Sequence, residues 1–381
     1  MRYIHQHPNW PRFTWNERAL LSLLPEVRHR QGRLLGRMEG LGFRFRSEAG
    51  LDNLTSEVIK SSAIEGTVFD PTAVRSSIAR RLGLGADQST RSSHEIEGAV
   101  EMMLDATQNY SAPLTADRLL GWQSSLFPAG RSGVRRILVG QWRTPEMDPM
   151  QVVPARHSLG DGGSGPLSRD RIRKKHIHFE APTADRLSVE VEAFLRWFES
   201  ADAADPILRA AIAHLWFVTI HPFEDGNGRV SRAIADLALA RADGSPLRFY
   251  TMSTQIESEK KAYYDALEQT QKGDTDITGW LVWFLSCLDR ALTQAEHALA
   301  SILQKSSTWE RINAGVSVSE RQRTVINALL AGANPEISTS RYAKLAHCSL
   351  DTALRDIQSL VTAGVLVAGD RGGRSTHYRL A

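Results

Sequence analysis

Between residues 15 and 41 the apolar positions Leu20, Leu23, Leu24, Val27, Leu34, Leu35 and Met38 recur at the three-and-four spacing of an amphipathic helix. Asn16 stands where a helix cap is expected, and Pro25 predicts a kink or a split into two helices. The same periodicity predicts helices over about Leu51–Ile64 and Pro71–Leu82, then a helical stretch from Glu95 to Ser125 in which Thr115 caps TADRLLGWQSSLF. From Val134 to Val153 the pattern changes. VRRILVGQWRT and MQVV read as short strands about a turn, and IHFEAP (Ile177–Pro182) as a returning strand. The Gly-, Ser- and charge-rich stretch His157–Lys175 between them reads as a loop. Helices resume at about Leu187–Ser200, Pro206–Ile220, Gly228–Ala242, Glu257–Gln271 and Thr278–Ser301.

The tail reads differently. Helices over Arg321–Leu330, Ser340–Ala346 and Leu350–Ala363 precede VLVAGDRGGRSTHYRL, two strands about a Gly-Gly turn, an order that resembles a winged helix-turn-helix. Eight Lys/Arg against five Asp/Glu in this segment account for the net charge of +3 over 381 residues. So small an excess does not imply nucleic-acid binding across the whole surface. Arg355, Arg371 and Arg374 are the residues with which a winged helix would meet DNA, but no base-reading side chain stands out, and such modules also dock proteins. Cys287 and Cys348 form neither a disulfide framework nor a metal-ligand spacing, and both read as buried thiols of a reducing compartment. With no apolar signal core at the start and no apolar run long enough to span a bilayer, the expected location is cytoplasmic, away from the membrane.

The chemistry concentrates in His221-Pro-Phe-Glu-Asp-Gly-Asn-Gly-Arg-Val-Ser-Arg232. Successive backbone N–H groups of a Gly-rich turn make a concave anion site, and the dipole of the helix that follows reinforces it. Arg229 and Arg232 are three apart and share a helix face, so they can grip two phosphates of one ligand. His221 is a natural base near neutral pH, and Asp225 offers hard oxygens to the magnesium that accompanies a nucleotide.

This string matches the HxFx(D/E)GNGRxxR signature of Fic proteins at every specified position, and the resemblance extends from about Leu114 to Leu288. It implies a mainly α fold: a helical core at 96–300 with a short β-hairpin flap, behind an N-terminal helical module at 1–95 and ahead of the winged helix at 318–381. It also implies an enzyme that transfers AMP from ATP to a protein hydroxyl, with Mg²⁺ as cofactor. His221 would deprotonate the target hydroxyl and Asp225 would hold the metal. Gly226, Asn227 and Gly228 would cradle the phosphates, Arg229 would neutralise charge on the leaving pyrophosphate, and Arg232 would clamp the γ-phosphate. Phe223, an expected anchor of the loop, and Glu224, expected exposed or peripheral, complete the nucleotide-binding stretch. In AYYDAL and the QKGD that follows, Tyr264 is the implied contact to adenine or ribose and Gln271 a weaker one, with Tyr263 left to the core.

Ser61-Ser-Ala-Ile-Glu65-Gly66 matches the (S/T)xxxE(G/N) inhibitory element of some Fic proteins. A Glu65 carboxylate paired bidentately with Arg232 would occupy the guanidinium that a γ-phosphate needs, in cis or across a homodimer. The strand pair ending in HFEAP resembles the flap on which a target protein docks by strand addition. The basic run Arg171–His176 reads as a solvated face, and His176, His178 and His214 have no ligand partners at metal spacing. Two other functions remain open: removal of AMP from a modified protein at the same site, with Glu65 orienting water, and a DNA-binding regulator whose nucleotide site is a sensor.

Overall fold

The computed structural model describes residues 2–85, 91–152, 177–200, 204–315, 317–330, 336–369 and 376–381. The expected loop at 157–175, the basic run at 171–176 and the Gly-Gly turn with Arg371 and Arg374 lie outside these residues. The fold is mainly α and divides into two compact units, Met1–Ala295 and Glu296–Ala381.

In the first unit, α1 (Glu17–Leu20) and α2 (Leu23–Glu39) are the two halves into which the opening pattern splits. Asn16 caps the first by accepting from the Arg18 N–H, and Pro25 sits in the first turn of the second, where a missing N–H is harmless. The helix α3 runs Phe43–Ile64, longer than the pattern predicts, because Gly50 within it is no barrier once the helix is packed. Next comes α4 (Pro71–Arg81), started by the Asp70 carboxylate, which accepts from the Thr72 and Ala73 N–H groups. Ser93 and Thr115 cap α5 (His94–Gln108) and α6 (Ala116–Leu126).

Two small ladders follow: β1 (Arg131–Ser132) with β2 (Arg135–Arg136), and β3 (Gln151–Val152) with β4 (Phe179–Glu180), both antiparallel. The N-terminal residues brace the second ladder. Tyr3 and His5 pack edge-on against Phe179, and His5 Nε2 donates to the Glu180 carbonyl at 2.8 Å.

The centre of the unit is a helical hairpin. Helix α7 (Leu187–Glu199) leads to α8 (Pro206–Ile220) and α9 (Asn227–Asp243). Nearly every residue of α8 is buried, as its all-round apolar sequence requires, and α9 is buried from Arg229 to Ala240. Beyond it, α10 (Met252–Ser258) and α11 (Lys260–Gln271) are separate helices where one was expected, broken at Glu259 (φ −120°). The long helix α12 (Thr278–Gly315) starts in this unit and ends in the second.

The second unit contains α13 (Glu320–Leu330), β5 (Glu336–Ser338), α14 (Thr339–Leu345), α15 (Leu350–Thr362), β6 (Leu366–Ala368) and β7 (His377–Leu380). Its antiparallel sheet has the order β5-β7-β6, and β5 is a strand that sequence periodicity did not predict. Val325, Ile326, Ile337, Tyr342, Ile357 and Leu366 form its core. Among the described residues, no helix is long and apolar enough to cross a membrane.

A buried polar cluster joins α3 to α9. Arg248 pairs with Asp236 at 3.2 Å and Asp243 at 2.9 Å and lies over the Tyr250 ring. The Glu57 carboxylate accepts the Ser253 N–H from both oxygens at 3.2 Å. Desolvation pushes the pKa values of Glu57 and Asp236 up, and for Asp236 the neighbouring Glu57 adds to the shift. Removing Arg248 would leave Asp236 and Asp243 without the cation they pair with. Arg248→Met is therefore expected to lower the urea-unfolding free energy by about 3–5 kcal/mol.

Candidate functional site

Helix α8 ends on His221, which adopts left-handed φ/ψ of 51° and 56° although it carries a side chain. Such a conformation is uncommon outside glycine and persists only where neighbours hold it. Gly226 then caps α9 at φ 94°, and an added Cβ there would meet the Phe127 ring at 3.0 Å. Between them Phe223 is fully buried, its ring 4.9 Å from that of Trp142. The turn is closed from inside by Asn227, whose amide accepts the Phe223 N–H at 2.9 Å and donates to the Phe223 carbonyl at 2.8 Å.

His221 Nδ1 faces the Val218 carbonyl at 3.2 Å. That contact places the proton on Nδ1 and leaves the Nε2 lone pair free to act as a base. Protein groups ring the imidazole, and desolvation lowers its pKa to about 4; Val218, Asp225 and Glu65 oppose that shift while Arg143 adds to it. The imidazole is therefore neutral at physiological pH.

Arg232 is buried, and Glu65 reaches it at the end of α3 with an ion pair of 2.9 Å. The pairing is single-pointed, not bidentate, because Ser61 takes the rest of the fork: Nε donates to Ser61 Oγ at 2.9 Å and Nη2 to the Ser61 carbonyl at 2.8 Å. It lies within one chain, so the contact is in cis. The same carboxylate covers Gly228, where an added Cβ would lie 2.1 Å from Glu65 Oε1. Glu65 thus occupies the anion position of both the guanidinium and the helix start.

Arg229 lies over the Phe127 ring at 4.8 Å and 3.8 Å from Asp225, and its Nε has no hydrogen-bond partner among the described residues. Asp225 accepts from Gly226 N–H and from the Ser132 hydroxyl, with its side chain partly open to solvent. One open carboxylate suits a magnesium ion that takes its other ligands from phosphate and water. No group of three or more His, Cys, Asp or Glu side chains able to hold a metal occurs among the described residues.

Phe223 is the buried loop anchor expected of it, so its ring does not face a nucleotide. Other expectations need correction. Glu224 is neither exposed nor free: it is buried, paired with Arg135, and accepts the Leu138 N–H at 2.9 Å. It pins the β1–β2 hairpin to the loop. The Asn227 amide is spent on the turn, leaving only its backbone N–H for an anion. Gln271 is buried and donates to Thr219 at 3.1 Å, so it is not available to a base. Tyr264 lies beside Arg232 and Glu65, close enough for both to bear on its phenol, while Tyr263 is core and bonded to His214 at 2.9 Å. His178 pairs with Glu268 on α11.

Sequence reasoning missed Ser61, Ser132 and Arg143. Ser61 had a signal, being the first residue of the element that ends in Glu65. Ser132, in the two-residue strand β1, and Arg143, in a loop, have no sequence pattern of their own.

The model for the Fic/DOC family matches residues 113–239. These residues are a Fic domain. A second model, a domain of unknown function (DUF4172), matches residues 3–84. The chain is similar to the protein adenylyltransferase fic-1 of Caenorhabditis elegans, 33% identical over 118 residues, 30% of this chain and 22% of that protein. It is also similar to the protein adenylyltransferase Fic of Nematostella vectensis, 31% identical over 138 residues, 34% of this chain and 30% of that protein. The chain thus spans less than a third of the length of these relatives. A crystal structure of a Fic family protein from Desulfovibrio desulfuricans superposes with a TM-score of 0.50 at 20% identity, over 97% of this chain and 98% of that one. That likeness bears on the fold alone.

The depressed His221 pKa has a testable sign. Its folded value lies below the ordinary 6.5, so the folded protein binds fewer protons between pH 6.5 and 4. The stability this contributes is present above 6.5 and lost as pH falls towards 4. The His221 ring protons in an NMR titration are expected to move near pH 4, and movement near 6.5 would contradict the desolvated site.

Proposed function

We propose that the protein transfers AMP from ATP to a Tyr, Thr or Ser hydroxyl of a partner protein, and that Glu65 holds the resting form inactive. The observation that carries this reading is the Glu65 carboxylate lying on both Arg232 and Gly228, the two places where an anionic ligand would rest. A site whose anion position is filled by the protein's own carboxylate is built for an anion.

His221 Nε2 takes the proton of the target hydroxyl as that oxygen bonds to the α-phosphorus and pyrophosphate leaves. The backbone N–H groups at 226–228 and Arg229 hold the phosphates, and Arg232, once free of Glu65, holds the terminal one. Asp225 is the residue that would hold Mg²⁺, which neutralises phosphate charge when bound. Tyr264 is placed for the base or ribose. The β3–β4 ladder is the docking strand pair for the target. The second unit has the helix and strand order of a winged helix, and we read it as a module for a macromolecular partner.

The assay is label transfer from α-³²P-ATP to protein. Losing one charged hydrogen-bonded contact is about 1.5–3 kcal/mol, so Glu65→Gly is expected to raise incorporation about 10- to 100-fold. His221→Ala in that background is expected to abolish it. A folded Glu65→Gly protein that binds ATP yet labels nothing would sink the proposal.

A further inference from the structure

A side chain outside the signature, Arg143, grips the His221 end of the loop. Arg143 is 3% exposed, and each of its three guanidinium nitrogens has a partner. Its Nε donates to the His221 carbonyl at 2.9 Å and its own backbone N–H donates to the Pro222 carbonyl at 2.9 Å. Its Nη1 pairs with Asp148 at 2.7 Å, and its Nη2 donates to the Pro182 carbonyl just beyond β4. Asp148 in turn accepts the Ala184 N–H at 2.9 Å. A single guanidinium therefore joins the left-handed residue at the end of α8 to the segment that closes the β3–β4 ladder.

We infer that Arg143 is the positioning residue for His221, locking its left-handed backbone and coupling it to the docking strands. This rests on the proposed AMP transfer. Arg143 touches no reacting atom. Its planar fork reaches two carbonyls and a carboxylate at once, and a lysine ammonium at the same place cannot span them. The signature strings at 61–66 and 221–232 contain no hint of it, because the contact is made to backbone atoms.

The test uses the whole 381-residue chain in the Glu65→Gly background. Arg143→Met is expected to lower kcat about 10- to 100-fold, the scale of a misplaced catalytic group, with KM for ATP within about twofold. Arg143→Lys keeps the charge without the fork and is expected to leave kcat low. Asp148→Asn, which touches His221 only through Arg143, is expected to shift kcat in the same direction and less. A direct readout needs no turnover: with the nearby cation gone, the His221 ring in Arg143→Met is expected to titrate at higher pH, whereas in Arg143→Lys it stays near the parent value. The other groups that bear on the ring, the Val218 carbonyl and Asp225, are common to each compared pair, and Glu65 is absent from both members.

Unchanged kcat in Arg143→Met overturns the inference, as does a KM for ATP that rises in step with the loss of kcat. If the Glu65→Gly parent transfers no AMP, the functional reading fails first. The titration then decides alone, and a His221 ring unmoved by Arg143→Met overturns the positioning role. Should Arg143→Met not fold, Arg143→Lys and Asp148→Asn carry the same comparison.

Discussion

A guanidinium buried as deeply as Arg232 must have an anion beside it, and the rest of the site follows from which anion that is. An unpaired charge in that setting is worth several kcal/mol of instability. Here Glu65 supplies the charge and Ser61 accepts from Nε and Nη2. The contact proposed as inhibitory is thus also a structural one. On that proposal, a phosphate that replaced the carboxylate would keep Arg232 paired.

Around that charge the loop is built before any ligand arrives. Asn227 closes the turn on Phe223, Glu224 pins the β1–β2 hairpin, and Arg143 fixes the carbonyl of His221. Pre-formed geometry of this kind lets electrostatic stabilisation act without reorganisation at the moment of reaction. Desolvation keeps the half-buried His221 neutral, which is the state a base needs.

The fold was legible where periodicity was long and caps were strong: α8 starts on Pro206 and ends at Ile220, as its pattern predicts, and Asn16, Thr115 and Pro25 act as expected. It was not legible where tertiary packing overrides local preference, as in the extension of α3 back to Phe43 through Gly50, or where two or three residues make a strand, as in β5. The site followed the same division. The signature located His221, Arg229 and Arg232. It could not distinguish side chains that face a ligand from those that build the turn. Phe223, Glu224 and Asn227 belong to the second kind, because what they touch is the loop itself or a hairpin distant in sequence. Arg143 was invisible since its partners are mainly carbonyls, which every residue has.

The packing of α3 limits how the proposed inhibition can be released. Leu51, Leu54, Val58 and Ile64 on that helix are buried, and Glu57 is tied to Ser253. Exposing four such side chains would cost about 6–12 kcal/mol at about 1.5–3 kcal/mol each. ATP at a hundred to a thousand times its dissociation constant supplies only about 2.7–4.1 kcal/mol. Nucleotide binding therefore cannot lift α3 from the unit. It can turn one side chain: Glu65 is the C-cap of α3, its side chain is partly exposed, and the next residue, Gly66, already has a left-handed φ of 87°. Loosening that last turn breaks the single ion pair to Arg232 and uncovers Gly228 together, while the buried length of the helix stays in place. The switch is then the tip of the helix, and the remainder of α3 is the fixed arm that aims it.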